Sequence, residues 1–531
     1  MKKVLTIALA LVMTFVLGVP AKALDISVSN NVYVFEAGAF EAVDGWYVGT
    51  INVGWHGNGN NKADLAWAGN QGEVNVTPYN VEDNKQRAGA LGIKIQQTTE
   101  EQTVVFTVTK INREKLNATV VVPPLYNGPI SFDVLRTSDN PGYYFSGALI
   151  DMGVNLTSAA VDKDTFYAKA RVTEHDGSVQ GSFGNFAWDP QKESYALGDG
   201  WARWNIVDAY VADANGNRVD KGRYVKFDIE WKTRTEQNGT AANRYDVPAT
   251  RAAWYTDGGF IGFASIQLDI TQQKEVPGIA AATYVQDETK HDAIFDKFKI
   301  SDAPGGGTYS LFTPDNASKD NKRPILVWFH GTGERYTGTN PGGNLIGNRA
   351  LAFADKEFQE ALGGCYILAP QSTTAGWSAN RLNDMEALIN KIVAENNVDT
   401  DRIYVGGLSM GTGMTTPLIT STTENKINFA AAILCSGGNL SAAQSQTIAG
   451  KGFPMYLVGS TSDWAAGSLP ASLNNLLTAG VDARMELFPA GPVFDGNYYY
   501  GAHDAWNYIY NNIVKDDNGE TIFQWLARQS R

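Results

Sequence analysis

Two rhythms of apolar residues meet near residue 275. From Leu24 to about Gln272 apolar positions alternate or come in short runs. The first set is Ile26–Phe35, Trp46–Trp55, Val104–Val108, Ala118–Val122 and Ile130–Leu135. A second set is Tyr167–Val172, Trp204–Val211, Tyr224–Trp231 and Phe260–Ile270. Asn- and Gly-rich breaks separate them, and no helix-period stretch of any length intervenes, so the region is expected to be all-β, in β-sandwiches. The break Ser138-Asp139-Asn140-Pro141-Gly142 predicts modules over 24–140 and 141–275, with one large β-domain as the alternative. Lys274-Glu275-Val276-Pro277-Gly278 reads as a linker, because Pro and Gly interrupt the strand pattern there.

Over 276–531 strands alternate with helices. Pro324–Phe329 is a continuous apolar run, the mark of a strand covered on both faces. Strands are predicted at Phe295–Ile300, Tyr309–Phe312, Tyr366–Ala369, Ile403–Val405, Phe429–Cys435, Met455–Val458 and Met485–Phe488. Helices are predicted at Arg349–Leu362, Asn380–Glu395 and Leu469–Ala479. In the second of these, Leu382, Met385, Leu388, Ile389, Ile392 and Val393 recur at three- and four-residue intervals, as on a helix lying against a sheet. Such alternation predicts a mostly parallel sheet with helices on both faces, binding ligands at the carboxyl ends of its strands.

Composition narrows the classes. A 531-residue chain needs more than one core, and 43% hydrophobic with 19% charged residues is a folded, globular balance. Lys2 and Lys3 precede the apolar stretch Val4–Val19, and Ala21-Lys22-Ala23 offers small residues where a signal peptidase reads. Residues 1–23 are therefore expected to be a signal peptide, without a Cys for a lipid anchor, and the mature chain to be secreted. No later stretch is long and apolar enough to span a bilayer. Net charge is -13, and loss of the three lysines in that leader takes it to -16. Such a surface repels phosphate backbones and anionic headgroups, so neither nucleic acid nor membrane is an expected partner. Cys365 and Cys435 fall at the start of one predicted strand and the end of another, so two buried free thiols are expected rather than a bridge. His56 and His175 stand apart from any cluster of ligands, and neither metal nor organic cofactor is implied. Eight of the thirteen tryptophans lie before residue 276, and most are expected in the β core.

Chemistry concentrates where Ile403–Val405 leads into Gly407-Leu408-Ser409-Met410-Gly411. A serine on a tight strand-to-helix turn needs neighbours without a Cβ, and the turn lifts its hydroxyl above the sheet. The next backbone N–H, that of Met410, then points where an oxyanion would form. Three further stretches stand at predicted strand ends or late loops: His330-Gly331-Thr332-Gly333-Glu334-Arg335, Leu368-Ala369-Pro370-Gln371, and Tyr500-Gly501-Ala502-His503-Asp504-Ala505-Trp506.

These four ordered motifs resemble the α/β-hydrolase superfamily. Within it they look like a group of secreted bacterial esterases, also labelled predicted peptidases, related to polyhydroxybutyrate depolymerases and feruloyl esterases. The resemblance covers the chain from about residue 284 onward, and some thermophilic members carry an N-terminal immunoglobulin-like domain. It implies a serine esterase working through an acyl-enzyme, on aromatic or polymeric esters among others. Ser409 would be the nucleophile, and His503, the one histidine downstream of it, the general base and acid. Asp463 matches the family's aspartate beyond the sheet, one residue further from Gly459 than usual, with Asp495 as the rival; Asp504 should point elsewhere. Met410 and Thr332 would supply the oxyanion-hole N–H groups. Glu334 and Arg335 would brace that loop as an ion pair, with His330 structural. Trp377, Trp464 and Tyr500 lie on loops at the same edge and are candidates to clamp an aromatic or extended acyl group. Thr412-Gly413-Met414-Thr415-Thr416-Pro417 departs from the family and predicts a short or kinked helix behind the serine. A peptidase of the same fold, and a non-catalytic binding protein for a polymer or cell surface, are the rival readings.

Overall fold

The computed structural model describes residues 24–26, 31–35, 37, 40–54, 64–69, 88–109, 115–139, 142–173, 196–233, 245–246, 249–255, 259–280, 282–489, 491–493 and 498–531. The second half is built on one sheet of eight strands. These are β1 (Phe298–Asp302), β2 (Thr308–Phe312), β3 (Arg323–Phe329), β4 (Tyr366–Gln371), β5 (Val398–Leu408), β6 (Ala431–Cys435), β7 (Met455–Ser460) and β8 (Ala483–Phe488). Their order across the sheet is β1-β2-β4-β3-β5-β6-β7-β8. β2 runs antiparallel to both neighbours, and every pairing from β4 to β8 is parallel.

The apolar run of β3 shows why its strand is central. Ile325, Val327 and Phe329 pack into one core with Leu388 and Ile389, while Leu326 and Trp328 pack into the other with Phe353 and Tyr510. Side chains alternate across the pleat, so a strand with helices on both faces must be apolar at every position. The helix Leu382–Glu395 buries Met385, Leu388, Ile389 and Ile392, as its periodicity predicts. The helix expected over 349–362 is broken in two. A 3₁₀ turn at Ala350–Ala354 and a helix at Lys356–Ala361 are separated by Asp355 in extended conformation (ψ 153°), whose carboxylate pairs with Arg349 at 2.9 Å. Both cysteines are buried and free.

The β-region is less divided than its sequence suggests. A five-stranded sheet has the order 206–212, 221–229, 142–157, 130–139, 284–290, and a four-stranded one the order 196–198, 201–204, 166–173, 265–272. Phe166 against Phe227 (6.3 Å between centroids) and Phe145 against Trp204 (6.4 Å) join the two inner faces into a sandwich. Two four-stranded sheets precede it, one of strands 24–26, 41–43, 46–54 and 88–96, the other of 31–34, 64–69, 102–109 and 115–122. The division expected at 138–142 falls inside a hairpin, since Gly142–Thr157 pairs antiparallel with Ile130–Asp139. In sequence, a Pro-Gly signal does not distinguish a hairpin from a domain break.

The expected linker at 274–278 is also packed. Val276 is fully buried and Ile279 nearly so, the Glu275 carboxylate accepts the Gly45 N–H (3.0 and 3.1 Å), and Gly278 O accepts the Tyr126 N–H at 2.8 Å. Beyond it, Tyr284–Lys290 returns to the β-region and pairs parallel with Ile130–Asp139. One core consequently runs from Ile130 through Val276 and Phe295 to Trp525. Among the tryptophans, Trp204 is buried and donates to Ala249 O at 3.1 Å, whereas Trp46, Trp201 and Trp231 are half-buried. Trp55 and Trp188, with His56 and His175, lie outside the described residues, as do the side chains of Trp67 and Trp254.

Each large apolar side chain stripped from such a core costs about 1.5–3 kcal/mol. A fragment of residues 276–531 is thus expected to lose its cooperative thermal transition in near-UV circular dichroism, because Ile279, Phe295 and the strand Tyr284–Lys290 lose their partners. A fragment of residues 124–531 is expected to keep that transition.

Candidate active site

β5 delivers Ser409 at its carboxyl end. The serine has a left-handed backbone (φ 50°) at the head of a 3₁₀ turn, Ser409–Gly411, that runs into the helix Thr412–Thr420. Such a conformation costs a non-glycine residue on the order of 1–3 kcal/mol and persists only where its surroundings impose it. They do so by close approach. A Cβ on residue 411 would lie 2.1 Å from the Phe329 carbonyl oxygen, and one on residue 407 would lie 2.8 Å from Gly411 carbonyl carbon. The helix is short and carries Pro417, as expected. Threonine hydroxyls satisfy carbonyls along it: Thr412 Oγ1 donates to Ser409 O (2.7 Å), Thr415 Oγ1 to Gly411 O (3.1 Å) and Thr420 Oγ1 to Thr416 O (2.8 Å).

Ser409 Oγ lies 2.8 Å from His503 Nε2, across 94 positions of sequence. His503 Nδ1 lies 2.9 Å from Asp463 Oδ1, which also accepts the Ala465 N–H at 2.8 Å. A carboxylate can only accept, so the imidazole carries its proton on Nδ1 and offers a lone pair at Nε2 to the serine hydroxyl. The Asp463 side chain is closed to solvent. Asp504 turns to its own loop, its Oδ2 accepting the Gly501 N–H at 2.9 Å. Asp495 and the side chain of Tyr500 lie outside the described residues.

The loop after β3 backs against this turn. A Cβ on residue 331 would lie 2.8 Å from Leu408 Cδ1. Thr332 opens a 3₁₀ turn, Thr332–Glu334, and Met410 lies in the first turn after Ser409, where backbone N–H groups have no partner within the turn. The braces of this loop are separate hydrogen bonds, not the ion pair expected between Glu334 and Arg335. Glu334 is buried and accepts from Gly331 N–H (2.9 Å), Asn348 N–H (2.9 Å) and Asn348 Nδ2 (2.7 Å). Arg335 donates to Thr332 O (2.7 Å) and Thr374 O (2.8 Å), and its guanidinium lies 4.5 Å from the centre of the Phe260 ring. Two partly hydrated carbonyls are cheaper for a half-exposed guanidinium than desolvation beside a buried carboxylate. Gln371, at the end of β4, ties the loop down by donating to Glu334 O (2.9 Å) and Asn340 O (3.1 Å).

His330 is buried behind the loop. Its Nε2 accepts the Ser372 N–H at 2.9 Å, so Nδ1 carries the proton and donates to Gly331 O at 2.6 Å. Burial lowers its pKa to about 4, while burial raises that of Glu334 to about 7 against the pull of its three N–H donors.

The three candidate aromatic residues part company. Trp377 is turned inward, 8% exposed, with its ring 5.1 Å from both Phe329 and His330, so it supports the loop and does not line an open surface. Trp464 is 84% exposed and stacks on the His503 imidazole (5.3 Å, 21°). Sequence reasoning missed Trp506, edge-on to the same imidazole at 5.4 Å, although it lies in the His503 motif. It also missed Phe260, a β-region residue against Arg335, for which no motif gives a signal. Two hollows among the described residues, of about 760 and 440 Å³, flank Lys274 and Glu275 and contain no serine or histidine. No group of metal-ligating side chains occurs among the described residues, and no helix of the described residues is long and apolar enough to cross a membrane.

The strand order, the single antiparallel β2 and a serine turn following β5 define an α/β-hydrolase fold. Among solved structures the chain is similar to a thermostable esterase, at 21% identity and a TM-score of 0.58, over 76% of this chain and 99% of that one. It is also similar to a mutant feruloyl esterase module from Clostridium thermocellum complexed with sinapinate (12% identity, TM-score 0.32, 44% and 86% covered). A bacterial hormone-sensitive-lipase-family esterase matches likewise (15% identity, TM-score 0.29, 44% and 82% covered). At those superposition levels the last two add nothing to the fold assignment. No protein-family model and no curated protein matches the chain.

The two buried titrating groups behind the loop oppose each other. His330 binds its proton more weakly folded than unfolded, so between pH 6.5 and about 4 its contribution to stability is lost as pH falls. Glu334 binds its proton more tightly folded than unfolded, so between pH 4.5 and about 7 its contribution is lost as pH rises. Each is worth about 3 kcal/mol across its window. In urea unfolding over pH 4.5–7, Glu334→Gln is expected to leave a stability that climbs more steeply with pH than wild type, and His330→Asn one that declines relative to wild type.

Proposed function

We propose that this chain is a secreted serine esterase, exported behind the leader at residues 1–23 and cleaving carboxylic esters through an acyl-enzyme. The observation that carries this reading is the hydrogen-bonded line from Ser409 Oγ through the His503 ring to Asp463 at 2.8 and 2.9 Å. Ser409 Oγ attacks the ester carbonyl carbon as His503 Nε2 takes its proton. The carbonyl oxygen becomes an oxyanion facing the N–H groups of Thr332 and Met410, which strengthen their hydrogen bonds as charge develops. The tetrahedral intermediate collapses, the alcohol leaves with the proton from Nε2, and water repeats the sequence in reverse to free the acid.

Asp463 holds the imidazole in the tautomer that attack requires and stabilises the imidazolium. Its charge acts strongly because the side chain is closed to water. Aromatic and polymeric esters are the proposed substrates, with the exposed indole of Trp464 beside the His503 ring as the surface they would meet. Trp464 is the binding residue there, with Tyr500 on the strand preceding the His503 loop.

Turnover of 4-nitrophenyl acetate is expected to fall by about 10⁴-fold or more in Ser409→Ala and by about 10²–10⁴-fold in Asp463→Asn. A fluorophosphonate probe should label the wild type on Ser409 and leave Ser409→Ala unlabelled. An unlabelled wild type would return the chain to the non-catalytic binding reading. A 4-nitroanilide cleaved as fast as the matching 4-nitrophenyl ester would make it a peptidase.

A further inference from the structure

β6 lies between the strand that delivers Ser409 and the strand that delivers Asp463, and the way it ends is unusual. Leu408 pairs with Cys435, and Cys435 with Val458, across the three strands. Ser436 therefore leaves the sheet level with Ser409 and one strand nearer the acid. Its N–H holds it there by donating to Val458 O at 2.9 Å. Its φ of 49° repeats the 50° of Ser409, although glycine adopts that region freely.

Two costs meet at this residue. A left-handed backbone is unfavourable for a side chain with a Cβ, and the fully buried hydroxyl has no hydrogen-bond partner among the described residues. Glycine would avoid both. Asp463 shows the complementary deficit. Its Oδ1 serves His503 Nδ1 and the Ala465 N–H, whereas its buried Oδ2 has no donor among the described residues. A buried carboxylate is costly to keep ionised unless its oxygens are satisfied, and a hydroxyl is a donor that can satisfy one. The Cys435 thiol places the two groups in one neighbourhood. Burial raises its pKa, the Ser436 hydroxyl works against that rise and the Asp463 carboxylate adds to it. The next residue touches the nucleophile's turn, since a Cβ on residue 437 would lie 3.1 Å from Ser409 O.

We propose that Ser436 is a positioning residue for the triad acid, its hydroxyl serving Asp463 Oδ2 directly or across one water molecule. The proposal rests on the esterase reading and adds to it a group that touches no substrate. A donor on Oδ2 fixes the plane of the carboxylate, keeps Oδ1 on the imidazole and supports the negative charge while the imidazolium forms.

The test removes the hydroxyl in two backbones. Ser436→Ala keeps the unfavourable conformation and Ser436→Gly relieves it, so a loss common to both belongs to the hydroxyl. With 4-nitrophenyl acetate, each is expected to lower kcat by about three- to tenfold at unchanged KM. The acidic limb of the kcat/KM profile should move to higher pH, because the carboxylate is then harder to keep charged. Urea midpoints should place Ser436→Gly at or above wild type and Ser436→Ala below it. In an Asp463→Asn background, which has no charge to support, Ser436→Gly is expected to cause no further loss. Wild-type kcat and pH profile in Ser436→Gly would overturn the proposal and leave Ser436 as a turn residue. An equal loss with and without the Asp463 carboxylate would also overturn it, because the serine would then act through the Ser409 turn. Wild-type protein that neither hydrolyses the ester nor takes a fluorophosphonate would instead overturn the esterase reading.

Discussion

The Phe329 carbonyl oxygen leaves no room for a side chain at residue 411, and that exclusion organises the site. β3 and β5 are parallel neighbours, so the turns that leave them emerge at the same edge and must pass each other at backbone distance. Gly411 and Gly331 permit that passage. Once the two turns interlock, Ser409 is held in a conformation it would not otherwise adopt. The partners of that hydroxyl come from the far flank of the sheet. Asp463 leaves β7, and His503 sits on a loop beyond β8. A parallel sheet supplies this convergence because every crossover returns the chain to the same starting edge.

Around the interlocked turns the polar groups are arranged for rigidity. Glu334, His330 and Gln371 each reach across at least one loop to a backbone group, and none of them faces the serine. Burial makes these bonds strong, since nothing in the interior competes for the donors. The cost is that two ionisable side chains sit where neither prefers its charged form, and their opposed responses to pH partly cancel.

Legibility followed the range of the interactions concerned. The central strands and the helix Leu382–Glu395 were readable because both faces of the sheet are covered by this chain's own helices, which leaves an unbroken apolar or periodic record. Ser409 and His503 were readable because their local sequences carry the turn chemistry they need. Asp463 could be ranked against Asp495 only through the resemblance, since one acidic residue in a polar loop resembles another until its oxygen is placed. The β-region was misread at its seams. Pro141-Gly142 and Pro277-Gly278 are loop signals, yet the strands on either side of the first pair antiparallel and the second runs through a shared core, as the burial of Val276 and the return of Tyr284–Lys290 show. No local pattern reports which distant strand a segment will join. The broken helix at Asp355 and the approach of Phe260 to Arg335 were illegible for the same reason.

The unbridged thiols carry a practical consequence. Cys365 and Cys435 are both out of reach of solvent, and burial pushes each thiol's pKa well above its ordinary value, which leaves almost no thiolate to react. Nothing in the fold waits on an oxidant. The chain should therefore fold in a reducing compartment as well as in an oxidising one, and refold after denaturation without any shuffling of sulfur pairs.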